Sequence, residues 1–507
     1  MLANRLSADP SVRVLLLEAG PRDTDPWIHI PLGYGKLFKK SAVNWSYWSE
    51  PEPELGGRRI FTPRGKVLGG SSSINGLIYI RGQPEDFDDW EQPGWSHAEL
   101  LPYFKRAQHQ ERGASEHHGS GGPLAVSDCS ERHELCDAFI EAAVQAGHPR
   151  NPDFNGAQQE GAGYSQLTAR NGRRCSTATG YLRPAEKRPN LTVVTGALAY
   201  KIVFIERRAC AVQYTTDGTH LEAKASREVI LSGGAINTPQ LLQLSGVGPS
   251  ALLQEHGIPV VLDQPDVGEN LQDHFQTRMV LKCSRPITLN DELQSYWRTA
   301  MMGLRYALLR KGSLTIGAGY AGGFWRTRPE LKRPDVQTHF LAFSTDRMGE
   351  KLHPFSGFTA SICQLRPTSK GYVRIKSADP REAPAIRYNY LATEFDRRTM
   401  IDGMRLLRKI LAQPAIRPYI KSEYTPGPHV QSDDQWLAYM RETGSTIYHP
   451  TCTAAMGKVV DHHLRVKGID ALRVVDASVM PAVVSGNTNA AVIAIAEKAA
   501  DLIANTR

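Results

Sequence analysis

The chain has no run of about eighteen apolar residues, the least that spans a bilayer, so nothing in it reads as a transmembrane helix. It has no CxxC pair: its cysteines are scattered at 129, 136, 175, 210, 283, 363 and 452. An odd, dispersed set excludes a disulfide framework and a structural zinc, so no metal is expected, and it fits reduced thiols in a cytoplasmic compartment. Excess charge is scarce too. A net +8 over 507 residues, with acids and bases interleaved, is an ordinary solvated surface. No zinc-finger, RNP-like or basic-helix pattern points to nucleic acid. There is no internal repeat and no low-complexity tract. Nor is there a Gly-x-Gly-x-x-Gly near the N-terminus, although the first strand requires one.

That strand is residues 12–17, closed by Glu18-Ala19-Gly20. A buried apolar run ending in an acid and a glycine is how the second strand of a βαβ nucleotide fold ends, the acid accepting from ribose hydroxyls. The glycine-rich loop belongs about 20 residues before that acid, yet Met1 lies only 17 residues before Glu18. Residues 1–8 read as the tail of the helix that follows such a loop. The expectation is that the loop and the first strand lie upstream of Met1.

The length suits two packed domains. Apolar runs predict strands at 191–194, 200–204 and 229–232, and again at 472–475, closed by Asp476. Segments 372–375 and 385–388 look like sheet of a different domain. Helical spacing predicts helices over 134–147, 395–411 and 489–503. The reading is a discontinuous α/β nucleotide-binding domain from 1–135, 175–295 and 447–507. An inserted α+β substrate domain on an antiparallel sheet takes 136–174 and 296–446.

Three segments carry chemistry. Gly65-Lys66-Val67-Leu68-Gly69-Gly70-Ser71-Ser72-Ser73-Ile74-Asn75-Gly76 offers close backbone approach and an anion seat, and its apolar flanks argue against the alternative of a flexible linker. Gly233-Gly234 through Ser245-Gly246-Val247-Gly248 reads as strand–turn–helix, the helix capped near Asn237 or Thr238 with Pro239 in its first turn. His449, in Tyr448-His449-Pro450, lies in a turn, and Gly486-Asn487-Thr488-Asn489 starts the last helix.

Together these segments resemble the glucose–methanol–choline (GMC) family of flavin oxidoreductases, and within it most resemble the bacterial choline and aliphatic-alcohol dehydrogenases. The resemblance implies a Rossmann-like FAD-binding domain of GMC type. Glu18 and Ala19 would meet the adenosine ribose, and Val194 the adenine. Gly69, Gly70, Asn75, Gly76 and Leu77 would line the flavin and pyrophosphate. Asp476, Ala477, Asn487 and Thr488 would close over the cofactor. Some members bond flavin to a histidine where this chain has Asn75, so non-covalent FAD is expected. His449 resembles the catalytic base, titrating near 6.5, and Asn489 the partner that orients the alcohol. Choline-handling members carry a glutamate before an Ala-Gly-Gly-Phe stretch. Here it is Tyr320-Ala321-Gly322-Gly323-Phe324, so Tyr320 and Phe324 are expected in the substrate pocket. The segment around Cys452 also departs from the common form.

The resemblance therefore implies oxidation of a primary alcohol to an aldehyde, with choline dehydrogenation as the alternative and a cofactor-poor inactive homologue as a further one. The partners expected are a small alcohol and an acceptor left open among quinone, electron carrier and oxygen. The location expected is cytoplasmic, with peripheral contact to the inner membrane left open.

Overall fold

The structure, a computed structural model, describes residues 1–347 and 349–505. Helix α1 (Leu2–Leu6) leads into β1 (Val14–Glu18), and α2 (Glu134–Gln145) precedes β2 (Gly161–Tyr164). Strand β3 (Leu191–Thr195) is followed by a meander, β4 (Leu198–Ile205), β5 (Arg208–Thr216) and β6 (Thr219–Lys224). Strand β7 (Val229–Leu231) runs into α3 (Gly234–Leu244). Then come β8 (Phe275–Cys283), α4 (Tyr296–Leu309), β9 (Ala321–Trp325), β10 (Val336–Leu341) and β11 (Gly357–Gln364). Helix α5 (Glu394–Leu411), β12 (Ile420–Thr425), β13 (Ser445–Thr446), β14 (Leu472–Val474) and α6 (Asn489–Ala504) complete the frame.

Two parallel pairs mark the nucleotide-binding half. Strand β1 lies on β3, from Val14 opposite Leu191 to Glu18 opposite Thr195. Strand β7 lies on β14, Val229 opposite Leu472. Segments from the two ends of the chain thus pair with segments from its middle. The other half is a seven-stranded antiparallel sheet in the order β12–β8–β11–β10–β9–β2, with β13 on β8. One face packs on α2 and α5 in a core containing Phe139, Phe340, Phe358, Met400 and Met404. The opposite face roofs the site. Because β8 is an interior strand of this sheet, residues from 275 on belong with it, earlier than the boundary expected at 295.

Helix α5 follows its sequence pattern: Thr393 caps it by accepting from the Asp396 amide, and Met400, Met404, Leu407 and Ile410 face inward. Helix α3 does not. It starts at Gly234, several residues before the cap expected from the proline, and Pro239 lies inside it. A proline there leaves the carbonyl four residues back without its helical donor. That carbonyl, of Ala235, accepts the Thr453 hydroxyl at 2.7 Å instead. Gly234 at φ +82° is donated to a distant cap: its amide meets Asp476 at 2.9 Å. Helix α6 is buried along most of its length and carries Glu497, fully buried. This carboxylate accepts from Arg5 (2.8 Å), Arg106 (2.8 Å) and Tyr181 (2.7 Å), tying α1 to the end of the chain.

Candidate functional site

One continuous cavity of about 1790 Å³ runs between the two halves. It exceeds the 300–1,000 Å³ of a pocket for one small molecule and has room for a dinucleotide with a substrate beside it. At one end Glu18 closes β1 and accepts the Gly20 amide at 2.8 Å. Burial raises its pKa to about 7. Gly20 allows that turn: a Cβ there would lie 1.9 Å from the Lys66 carbonyl oxygen. Further along, Gly69 and Gly70 adopt positive φ. Gly76 is held so tightly that a Cβ would lie 2.3 Å from that of Ala318. Asn75 is committed locally: its Oδ1 accepts from Arg174 at 2.6 Å and from the Leu77 amide at 3.1 Å. From the far side, Asp476 accepts from Gly234, Thr238 and Ser478, and joins the Gly-Gly helix to the Asp-Ala-Ser turn. The first turn of α6 has no side-chain cap, so its amides and dipole are available to an electron-rich group.

The other end is built around His449. Its backbone amide donates to Asp273 at 2.6 Å, and the same carboxylate accepts the Tyr390 and Thr446 hydroxyls. Burial raises the pKa of Asp273 to about 6. The ring tautomer follows from a chain of contacts. His274 Nε2 lies 2.9 Å from the Leu365 carbonyl, which can only accept, so that nitrogen carries the proton. His274 Nδ1 is then an acceptor, and His449 Nδ1–H donates to it at 2.9 Å. His449 Nε2 is left unprotonated and accepts from the Asn487 side-chain amide at 3.2 Å. Burial, with His274, His339 and Arg64 nearby, holds the His449 pKa well below 6.5, and His274 is lowered to about 4, mainly by burial. Both imidazoles are neutral at working pH. Asn489, first residue of α6, lines the cavity, and among the described residues its amide has no hydrogen-bond partner.

Thirteen of the sixteen residues singled out from the sequence line this one cavity. Three do not. Val194 is held within β3 opposite Leu17, its backbone committed to the parallel pair, and residues 197–199 form the wall instead. Tyr320 is 4% exposed and packs edge-on against His133 and Tyr164, both with centroids at 6.3 Å. Phe324 is buried against Phe154. The motif placed both at the substrate, but Tyr320, just before β9, joins the main core with Phe139 and Phe340, and Phe324 joins a small cluster with Phe154 and Leu365. The sheet face above His449 is supplied by residues no motif announced. Arg278 lies opposite Ser361, and Ser361 opposite His339, in one cross-strand row on the cavity roof. Only the register of β8, β11 and β10 brings them together.

Family models described as GMC oxidoreductase match residues 32–276 and 367–496. The chain is 46% identical to an alcohol dehydrogenase [acceptor] of Pseudomonas putida, covering 99% of this chain and 93% of the relative. It is 44% identical to the mitochondrial choline dehydrogenase of Mus musculus over 99% of this chain and 87% of that one. Among solved structures, an FAD-dependent oxidoreductase from Chaetomium thermophilum matches with a TM-score of 0.91 at 27% identity, covering 100% of this chain and 97% of that one. A pyridoxine 4-oxidase matches with a TM-score of 0.90 at 29% identity, covering 99% and 96%.

Proposed function

Since the chain belongs to the GMC oxidoreductase family, with FAD as its cofactor, we propose that it oxidises a primary alcohol to an aldehyde with His449 as the base. FAD, when bound, supplies the acceptor for the carbinol hydride at N5. Glu18 would hold the ribose, Gly69, Gly70, Gly76 and Leu77 would admit the pyrophosphate and flavin, and Asp476, Ala477, Asn487 and Thr488 would close the site. Asn75, with its amide oxygen already engaged by Arg174, suits non-covalent binding. The observation that carries the reading is the unprotonated Nε2 of His449, a tautomer fixed by the His274–Leu365 relay, which a substrate hydroxyl can take over from the Asn487 amide. The alcohol donates its proton to Nε2. The Asn489 amide holds the oxygen as negative charge develops, and the sheet roof excludes water. Choline dehydrogenation remains the second reading, favoured by the relatives of that name. Anaerobic mixing of the holoenzyme with an alcohol, followed at the flavin absorbance, tests the reading. Bleaching supports it, and an unchanged spectrum with every alcohol and with choline sinks it. Asn489→Ala should slow bleaching by about tenfold, less than loss of the base, since it removes one hydrogen bond.

We also place the protein at an anionic membrane surface. No helix among the described residues is long and apolar enough to cross a bilayer. Helix α4, however, buries only Tyr306, and leaves Tyr296 97%, Trp297 73% and Leu308 72% exposed. Trp297, Met301, Leu304 and Leu308 follow helical spacing, and Arg298, Arg305, Arg310 and Lys311 accompany them. An apolar stripe beside basic residues is the signature of a helix lying in the headgroup plane. On its inner side Met302 packs with Leu32 against the cluster of Leu289, Leu341 and Phe343, and Leu341 lines the cavity. The stripe thus flanks the substrate end. Sedimentation with vesicles should show binding to phosphatidylglycerol-containing but not pure phosphatidylcholine vesicles. A Trp297→Glu/Leu308→Glu double variant should bind at least about tenfold more weakly. Wild-type protein that ignores both vesicles, or that covers the stripe by dimerising, refutes the placement.

A further inference from the structure

The cavity wall divides unevenly by charge. Among the described residues its only carboxylates are Glu18, Glu228 and Asp476, all in the cofactor half. Glu228 is paired with Arg473 at 2.6 Å, and Asp476 is engaged by Gly234, Thr238 and Ser478. At the substrate end no carboxylate lines the wall, yet two guanidiniums do. Arg64 is satisfied by main-chain carbonyls, of Pro63 at 2.6 Å and Tyr448 at 2.8 Å. Arg278 is not. Its carbonyl accepts the Tyr439 hydroxyl, but among the described residues its guanidinium makes no hydrogen bond and no ion pair. Its charge is felt by Tyr34, Tyr448 and His339, which surround the same space. Five donors held at a cavity wall without an acceptor are matched to a planar anion.

Granted the alcohol-oxidising reading on which this depends, we propose that Arg278 anchors a carboxylate on the substrate, so that the enzyme's preferred alcohols are ω-hydroxy acids. The spacing sets the chain length. His274, which holds the base, precedes β8, and Arg278 stands four residues later, about 14 Å along a strand at roughly 3.4 Å per residue. A hydroxyl at His449 and a carboxylate at Arg278 therefore belong to opposite ends of a medium-length chain. Tyr34, Phe38, Leu341 and Ile447 supply apolar wall for the methylenes between them. Ser361, next to Arg278 in the cross-strand row, adds a hydroxyl beside the anion. A quaternary ammonium meets the opposite situation: an uncompensated cation facing it and no carboxylate to pair with.

The test uses the FAD-loaded enzyme and four probes: ω-hydroxyoctanoate, its methyl ester, octan-1-ol and choline. The acid should exceed the ester and octan-1-ol in kcat/KM by about tenfold or more, the scale of a charge-assisted hydrogen bond, and choline should be the poorest. Arg278→Met should bring the acid-to-ester ratio close to one. Arg278→Lys, which keeps the charge but not the fork, should retain part of it. A second readout does not need turnover: octanoate should perturb the spectrum of the bound flavin, and its Kd should rise about tenfold or more in Arg278→Met. Equal rates for acid and ester, a ratio untouched by Arg278→Met, or preference for choline would each overturn the anchor while leaving alcohol oxidation intact. Failure of all four probes to bleach the flavin would overturn the alcohol reading, and the anchor with it.

Discussion

His449→Ala, prepared with FAD bound, is expected to lose flavin reduction by alcohol by at least about a hundredfold, the low end of what a positioned base contributes. The pH dependence should be as telling as the loss. A solvent-exposed histidine would impose a rise in rate through about pH 6.5. In this site burial and three cationic or imidazole neighbours favour the neutral ring and lower its pKa well below 6.5. The base is thus already free at neutral pH. Flavin reduction should be nearly flat from about pH 6 upward, its acid limb lying below. This corrects the sequence-based expectation of an inflection near the unperturbed value. His274→Ala should slow reduction less than His449→Ala and alter the acid limb, because it releases the tautomer without removing the base. A His449→Ala enzyme that bleaches at the parent rate would rule out the assignment.

Glu497→Ala is expected to be the most damaging single change to stability. The carboxylate is fully buried and is shared by Arg5, Arg106 and Tyr181. Removing it leaves the Arg5 guanidinium and the Tyr181 phenol without this partner, while Arg106 keeps Asp501, at a cost of about 3–5 kcal/mol. At about 2.1 cal/mol/K per residue, the unfolding entropy of this chain is roughly 1 kcal/mol/K, so Tm should fall by about 3–5 °C. Removing a surface pair, Arg398 with Asp402, should change stability by less than about 1 kcal/mol. Calorimetry on both variants separates the two cases, and a shift below about 1 °C for Glu497→Ala would contradict the account.

The parts of the fold legible in the sequence are those whose signal is local. Residues 12–18 announce a strand end because apolar run, acid and glycine are contiguous. Helix α5 announces itself through Met400, Met404, Leu407 and Ile410 at helical spacing. Strand β8 was not legible. Both of its faces are largely covered, one by the core and one by the cavity roof, so it shows no clean alternation, and Arg278 and Lys282 within it look like surface. Pro239 misled in the opposite direction, because the donor that replaces its missing amide, Thr453, lies more than two hundred residues away. Tyr320 and Phe324 were placed by a motif, but strand register decides which way a ring points. The base was found by its motif. The residues that make it a base, His274 and Leu365, were not, because only the sheet brings them together.

The dependence of α3 on Thr453 and Asp476 has a consequence for biosynthesis. Strand β7 has its partner in β14, and the Gly234 amide and the Ala235 carbonyl find theirs only after residue 450. At roughly 5–20 residues per second, a ribosome needs on the order of tens of seconds to travel from β7 to β14. Throughout that interval the centre of the nucleotide-binding half has a bare strand edge and an incomplete helix, so nascent chains are the form most exposed to proteases and chaperones. Loading of the flavin is then an event of the released polypeptide, and cells short of riboflavin should accumulate a full-length, slowly degraded apoprotein rather than stalled fragments.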